Sequence, residues 1–196
     1  MFTRAIFAVL AVFLSASLAQ AKGFYLGAYG GANWSDTNYS SPWVSFESDT
    51  GYVIGGVLGT NLDQVPGLAI EADLSFRSNP IDGVICYDPF SISDHTWGLL
   101  ANAKYTFDTP KWPVHPYLLV GAGYASRTAT VDDWGYEVSN DGFAWQLGAG
   151  VNTTVAPGIQ LGVGYRYFDA PNLSAYGISD DGNSHAVVGS VTFTFD

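Results

Sequence analysis

An all-β fold, an eight-stranded antiparallel up-and-down transmembrane β-barrel, is the class this sequence predicts. Three observations carry it. Segments with period-two alternation of apolar and polar residues recur along the chain, and helical periodicity does not. The connections between them alternate strictly between long and short. Charged residues make up 13% of the chain and hydrophobic residues 47%. That is about half the usual charged share of a soluble domain, yet no apolar run past the N-terminus is long enough to span a bilayer as a helix.

The chain begins "MFTRAIFAVLAVFLSASLAQA". Arg4 is a positive n-region, Ala5 to Leu14 is an unbroken apolar run, and Ala19-Gln20-Ala21 is a small-x-small cleavage site. The pattern predicts a cleaved secretory signal peptide over residues 1–21 and a barrel domain over 22–196. Formal net charge is −11 at pH 7, with no basic patch, which excludes nucleic acid as a partner. A single cysteine, Cys86, excludes an internal disulfide framework and reads as a lone loop thiol.

Strands are expected near 23–34, 50–61, 67–77, 94–107, 115–126, 142–154, 158–168 and 184–195. The long connections are 35–49, 78–93, 127–141 and 169–183, rich in Ser, Asn, Asp and Gly. The short ones are "LDQVP", "DTPKWPV" and "APG". Long connections at one end and tight turns at the other fit four extracellular loops and periplasmic turns, with both termini periplasmic.

Within the strands one face is aliphatic and aromatic. Trp97, Leu99 and Tyr105 share it in the fourth strand; Phe143, Trp145 and Leu147 in the sixth; Leu161, Val163, Tyr165 and Tyr167 in the seventh; Val187, Val191, Phe193 and Phe195 in the eighth. The opposite face holds Gly, Ser, Thr, Asn and Gln with scattered charges. An aliphatic band with aromatics near its ends suits lipid. Trp97, Trp145, Tyr165, Tyr167, Phe193 and Phe195 are therefore the candidate interface aromatics. Small and polar residues suit a narrow interior. Turned inside out, the same chain has too few charges to keep its exterior in water.

The third strand, "GLAIEADLSFR", puts the question most sharply. Leu68, Ile70, Leu74 and Phe76 alternate with Glu71, Asp73 and Arg77. With the greasy face to lipid, the charges turn inward and need partners. Lys104 and Arg166 lie on the inward faces of other strands. Glu71, Asp73, Arg77, Lys104 and Arg166 are thus the expected lumen network, a closed plug rather than an open channel.

Four stretches then carry a resemblance: "GFYLGAYGGANW", "GLAIEADLSFR", "LLANAKYTFDTPKWPVHPYLLVGAGYA" and "FAWQLGAGVNTTVAPGIQLGVGYRYFDA". Together they resemble the opacity-protein and surface-antigen type of small outer-membrane β-barrel, related in architecture to the transmembrane domain of outer membrane protein A. The resemblance implies a Gram-negative outer-membrane location, no cofactor, and roles as a structural barrel, an exposed antigen or an adhesin. It carries no catalytic residues over. Family members usually end on an aromatic residue read by the barrel assembly machinery; here Phe195 is penultimate in "TFTFD".

Other functions are weaker readings of the same residues. Small lipid A-modifying barrels use a loop-end histidine with a serine and a carboxylate. Ser184, His185 and Asp180 or Asp181 supply those types, while His95 starts another strand and His115 lies at the opposite end. A small pore is a third reading. Asp132, Asp133, Glu137 and Asp141 make one long connection acidic, and Asp169, Asp180 and Asp181 another. Such carboxylates suit divalent cations bridging to lipopolysaccharide phosphates, but the spacing is not that of an EF-hand. No metal site is expected. Trp34, Trp43 and Trp134 read as interface anchors. The partners expected are outer-membrane lipid, lipopolysaccharide, the assembly machinery and a host or surface ligand at the loops.

Overall fold

The structure, a computed structural model, describes residues 23–35, 38–40, 44–85, 88–108, 110–131, 136–175 and 178–195. The expected signal peptide over residues 1–21, Trp43, Cys86, Asp132, Asp133 and Trp134 lie outside the described residues, as do the side chains of Asp180 and Asp181.

Ten strands follow in chain order: β1 (Phe24–Trp34), β2 (Asn38–Ser40), β3 (Val44–Ser48), β4 (Gly51–Asn61), β5 (Leu68–Ile85), β6 (Asp88–Thr106), β7 (His115–Val131), β8 (Tyr136–Ala156), β9 (Ile159–Ala175) and β10 (Ile178–Phe195). Every pairing is antiparallel. The ring runs β1, β4, β5, β6, β7, β8, β9 and β10, and β10 pairs back onto β1 from Phe24↔Phe195 to Trp34↔His185. The barrel is therefore closed with eight staves. Closure leaves no stave with an unpaired edge, the condition lipid imposes on a sheet.

β2 and β3 do not add staves. β3 pairs with the outer end of β5, from Val44↔Ile85 to Ser48↔Ile81, just where β4 stops at Tyr52↔Ser78. They continue β1 and β4 outward, so the first hairpin is one long hairpin with two breaks.

The strand bounds expected from sequence stop short at this outer end. β5 and β6 pair from Leu68↔Tyr105 out to Ile85↔Asp88, and β7 and β8 out to Val131↔Tyr136. Most of the residues between 78 and 93, 127 and 141, and 169 and 183 are paired backbone. Ser, Asn and Asp in these stretches read as turn formers, but an antiparallel hairpin accepts them once pairing has been set by the strands below. An 18-residue strand such as β5 is about 60 Å long at ~3.3 Å per residue, about twice what a tilted span needs. The hairpins thus stand well clear of the membrane.

The inner ends are tight. Gly67 and Gly158 sit at φ 86° and 73°, a backbone open to glycine at little cost, in the turns after β4 and β8. A Cβ at Gly67 would stand 2.5 Å from the Thr106 carbonyl oxygen, which accepts no such neighbour. The Gly158 carbonyl accepts from Thr194 N at 2.8 Å, tying the last turn to β10.

The faces sort as the alternation demands. On β5, Asp73 is 0% exposed while its neighbour Leu74 is 53% exposed. Leu26, Ile54, Leu118, Val120, Leu147 and Val163 join Leu74 on the outside. Along this part of β5 the charges lie inside and the aliphatic side chains Ile70 and Leu74 outside.

Candidate functional site

The lumen is where the chain concentrates its chemistry. β5 projects Glu71, Asp73, Ser75, Arg77 and Asn79 inward in succession, all buried. Strand alternation alone produces this row.

Asp73 is its hub. Oδ1 accepts from Tyr29 Oη at 2.7 Å. Oδ2 accepts from Arg166 Nη1 at 2.7 Å, Gln146 Nε2 at 3.1 Å and Asn102 Nδ2 at 3.2 Å. Gln146 Nε2 also donates to Asn102 Oδ1 at 2.8 Å. These groups come from β1, β6, β8 and β9, so one carboxylate of β5 cross-braces staves all round the barrel. The Arg166 guanidinium lies 3.8 Å over the Tyr29 ring. A buried charge this fully paired is tolerated where a bare one is not.

Glu71, one step inward, is less well held. Tyr25 Oη donates to Oε1 at 2.8 Å, and Lys104 Nζ is 3.5 Å from the same oxygen. Oε2 has no partner in the protein. Lys104 also lies 4.9 Å from the Tyr117 ring centroid.

The tyrosines have room because glycines stand opposite them. Tyr25 pairs with Gly59 and Tyr29 with Gly55 across β1 and β4. A Cβ at either glycine would run into the opposing ring. Tyr117 covers Gly150 and Gly164 of β8 and β9 in the same way. Aromatic side chains lying over glycines are a general means of filling a narrow barrel.

Toward the outer mouth a second ion pair appears. Arg127 grips Asp94 with Nη2 to Oδ2 at 2.6 Å and Nε to Oδ2 at 3.0 Å. Sequence reading placed Arg127 in a loop, outside the network; the longer β7 carries it inward. The missed signal was its parity with Tyr117 and Leu119, which holds along β7 past the expected end. Arg77, expected to find a carboxylate, has none within salt-bridge distance among the described residues. Nη1 donates to Ser75 Oγ at 2.7 Å, and the guanidinium lies 3.6 Å over the Phe168 ring. Nor is the lumen uniformly polar. Tyr25, Tyr29, Val53, Val57, Ala69, Ala186 and Val188 form one apolar cluster, and Leu100, Ala125, Ala144, Phe168 and Ala170 another.

The serine–histidine constellation does not assemble. Ser184 is buried and faces the lumen, whereas His185 faces out. There His185 stacks on Trp34 at 6.1 Å and shares a hydrogen bond through Nδ1 with the Tyr165 hydroxyl. Consecutive residues of a strand point to opposite faces, so the pair cannot act on one substrate. His95 also faces out, stacked on Phe76, and His115 is at the inner end of β7. Among the described residues no group of three or more His, Cys, Asp or Glu is placed to hold a metal ion.

The aromatics lie outside the staves. Trp97, Tyr165, Phe193 and Phe195 are exposed. Trp97 packs on Phe76 at 4.7 Å, and Trp145 on Tyr167 at 5.2 Å. Trp34 is half-buried against His185.

The sequence profile described as outer membrane protein beta-barrel domain matches residues 5–195. Neisserial surface protein A shares 24% identity at a TM-score of 0.61, over 88% of this chain and 97% of that one. OprG from Pseudomonas aeruginosa shares 10% at a TM-score of 0.54, over 90% and 97%. Ail of Yersinia pestis, in complex with the heparin analogue sucrose octasulfate, shares 12% at a TM-score of 0.51, over 90% and 100%. At these identities the likeness speaks for the fold. No curated relative matches the chain in sequence.

Proposed function

Since the chain belongs to the outer membrane protein beta-barrel domain family, we propose that it is a non-enzymatic, closed barrel whose outer hairpins serve surface recognition. The Asp73 hub carries this reading. It gathers side chains from β1, β5, β6, β8 and β9 across the lumen. A barrel of eight strands is wide enough only for its own side chains. A cross-braced interior conducts nothing, and the working surface is then the set of hairpins standing above the membrane.

The charge of that surface supports a partner class. The stretches 35–49, 78–93, 127–141 and 169–183 contain no lysine and no arginine except Arg127, which is turned inward. Asp and Glu are frequent there. The fitting partner is cationic: a basic peptide or protein patch, or divalent cations bridging to lipopolysaccharide phosphates. A polysulfated sugar of the kind bound by Ail is disfavoured by the same charge. Outer-membrane lipid at the aromatic faces and the assembly machinery at β10 complete the partners this reading implies.

Three measurements test it. Planar-bilayer recording of the purified chain should show no sustained discrete conductance, and a stable single-channel level overturns the closed lumen. Cells carrying the intact protein should capture a basic probe peptide more strongly than cells carrying shortened hairpins. Equal capture removes the recognition role. Mass spectrometry of lipid A from cells with and without the gene should show identical acylation; a difference would revive the enzyme reading.

A further inference from the structure

At the outer mouth, above the hub, lies a small cavity of about 20 Å³. Asn33 and Ser184 line it from β1 and β10, Arg77 from β5, the Asp94–Arg127 pair from β6 and β7, and Phe168 from β9. Register explains the gathering, since Arg77, Thr96 and Arg127 occupy one row across β5, β6 and β7.

Two features of this cavity stand out. First, Arg77 Nε, Ser184 Oγ and Asn33 Oδ1 are buried polar atoms with no hydrogen-bond partner in the protein, and all three residues line the same space. A buried donor left bare is costly, and one occupant accepting from both Arg77 Nε and the Ser184 hydroxyl relieves two of these penalties at once. Second, the described side chains of the lumen are out of charge balance. Among the described side chains facing inward, Glu71, Asp73 and Asp94 oppose Arg77, Lys104, Arg127 and Arg166. The salt bridges join Lys104 to Glu71, Arg166 to Asp73 and Arg127 to Asp94. Arg77 is the cation left over, 4% exposed, in contact with a hydroxyl and an aromatic face and paired with no carboxylate among the described residues.

We propose that this cavity binds one small inorganic anion of halide size, held by Arg77 Nε and the Ser184 hydroxyl. The positive charge selects an anion over neutral water. The space suits a single small occupant. The acceptor Asn33 Oδ1 and the Asp94 carboxylate oppose the anion. Arg127 covers both oxygens of Asp94, however, and the described lining side chains Arg77, Arg127 and Asp94 together carry one net positive charge. The site thus neutralises the mouth of the barrel while the hub below neutralises itself.

Bromide is the probe. Crystals of the full chain grown in bromide should show an anomalous peak in the cavity, and crystals of Arg77→Met should not. In detergent, the heat-modifiable mobility transition of the parent should rise by about 3 °C in chloride over gluconate at equal ionic strength, for chloride near tenfold its dissociation constant. Arg77→Met, which keeps an apolar stem over Phe168, should lose that difference. Ser184→Ala should reduce it, and serves where Arg77→Met does not fold. No bromide peak, or equal transitions of the parent in both salts, means water only and overturns the proposal. A peak that persists in Arg77→Met is an adventitious ion only and overturns it too.

Discussion

The two storeys of the lumen handle charge in different ways. At the hub, Asp73 accepts four hydrogen bonds from four other staves and Arg166 neutralises it. At the mouth, Asp94 and Arg127 satisfy each other across adjacent staves, and Arg77 is left without a carboxylate. The hub is therefore global, since its loss unties strands far apart in sequence. The mouth is local, since its described pair joins the neighbouring staves β6 and β7. A carboxylate reaching across the barrel acts as a brace for the whole ring, and one reaching sideways acts as a rivet between two staves.

The largest effect should come from the brace. Asp73→Ala leaves Arg166 buried and bare and strands Tyr29, Asn102 and Gln146 together. The expected loss is about 3–5 kcal/mol in urea unfolding from lipid vesicles, followed by tryptophan fluorescence. Equal stability of variant and parent would mean that the hub is filler.

The rivet should behave differently in a double change. Arg127→Met alone leaves Asp94 uncompensated and should cost about 2–3 kcal/mol. Adding Asp94→Leu removes the stranded charge, so the double variant should regain most of the loss. An additive double variant would show that the pair is not the unit. Next comes the space behind the brace. Gly55→Val puts side-chain atoms where the Tyr29 ring lies. Tyr29 must then move off Asp73, at about 2 kcal/mol. Pairing it with Tyr29→Ala should relieve the clash, and the same unfolding curves would read this.

Much of this was legible before any coordinates. Period-two alternation set the faces, because a strand offers only two directions and Glu71 and Leu74 cannot share one. The alternation of long and short connections set the eight staves. What escaped has a physical cause in each case. Strand ends escaped because Ser, Asn and Asp in 78–93 and 127–141 are turn formers by local preference, while an antiparallel partner overrides them. Arg127 escaped for the same reason, lying just past the expected end of its strand. Gln146 and Asn102 share the inward parity of their strands, but nothing local says that two amides of β8 and β6 meet one carboxylate of β5. That convergence depends on barrel shear, which a single chain does not display. The serine–histidine idea failed on a rule available all along, since adjacent strand residues diverge.

The smallest predicted effect makes the sharpest comparison, because Glu71 is only two residues from Asp73 on the same inward face. Both are buried, at 2% and 0% exposed. Their partners differ. Asp73 faces a guanidinium whose side chain is 8% exposed, while the Lys104 side chain facing Glu71 is 15% exposed and 3.5 Å away. Lysine is flexible and strongly hydrated, so Lys104 can turn toward water when its partner loses charge. Glu71→Gln keeps the shape and leaves an amide oxygen to accept from Tyr25. Its loss should be about 1 kcal/mol, in the range of one hydrogen bond, against several for Asp73. The comparison turns on the cation, not on depth: were burial alone decisive, the two substitutions would cost the same. Unfolding of Glu71→Gln and Asp73→Asn side by side separates the two accounts, and equal losses would favour depth.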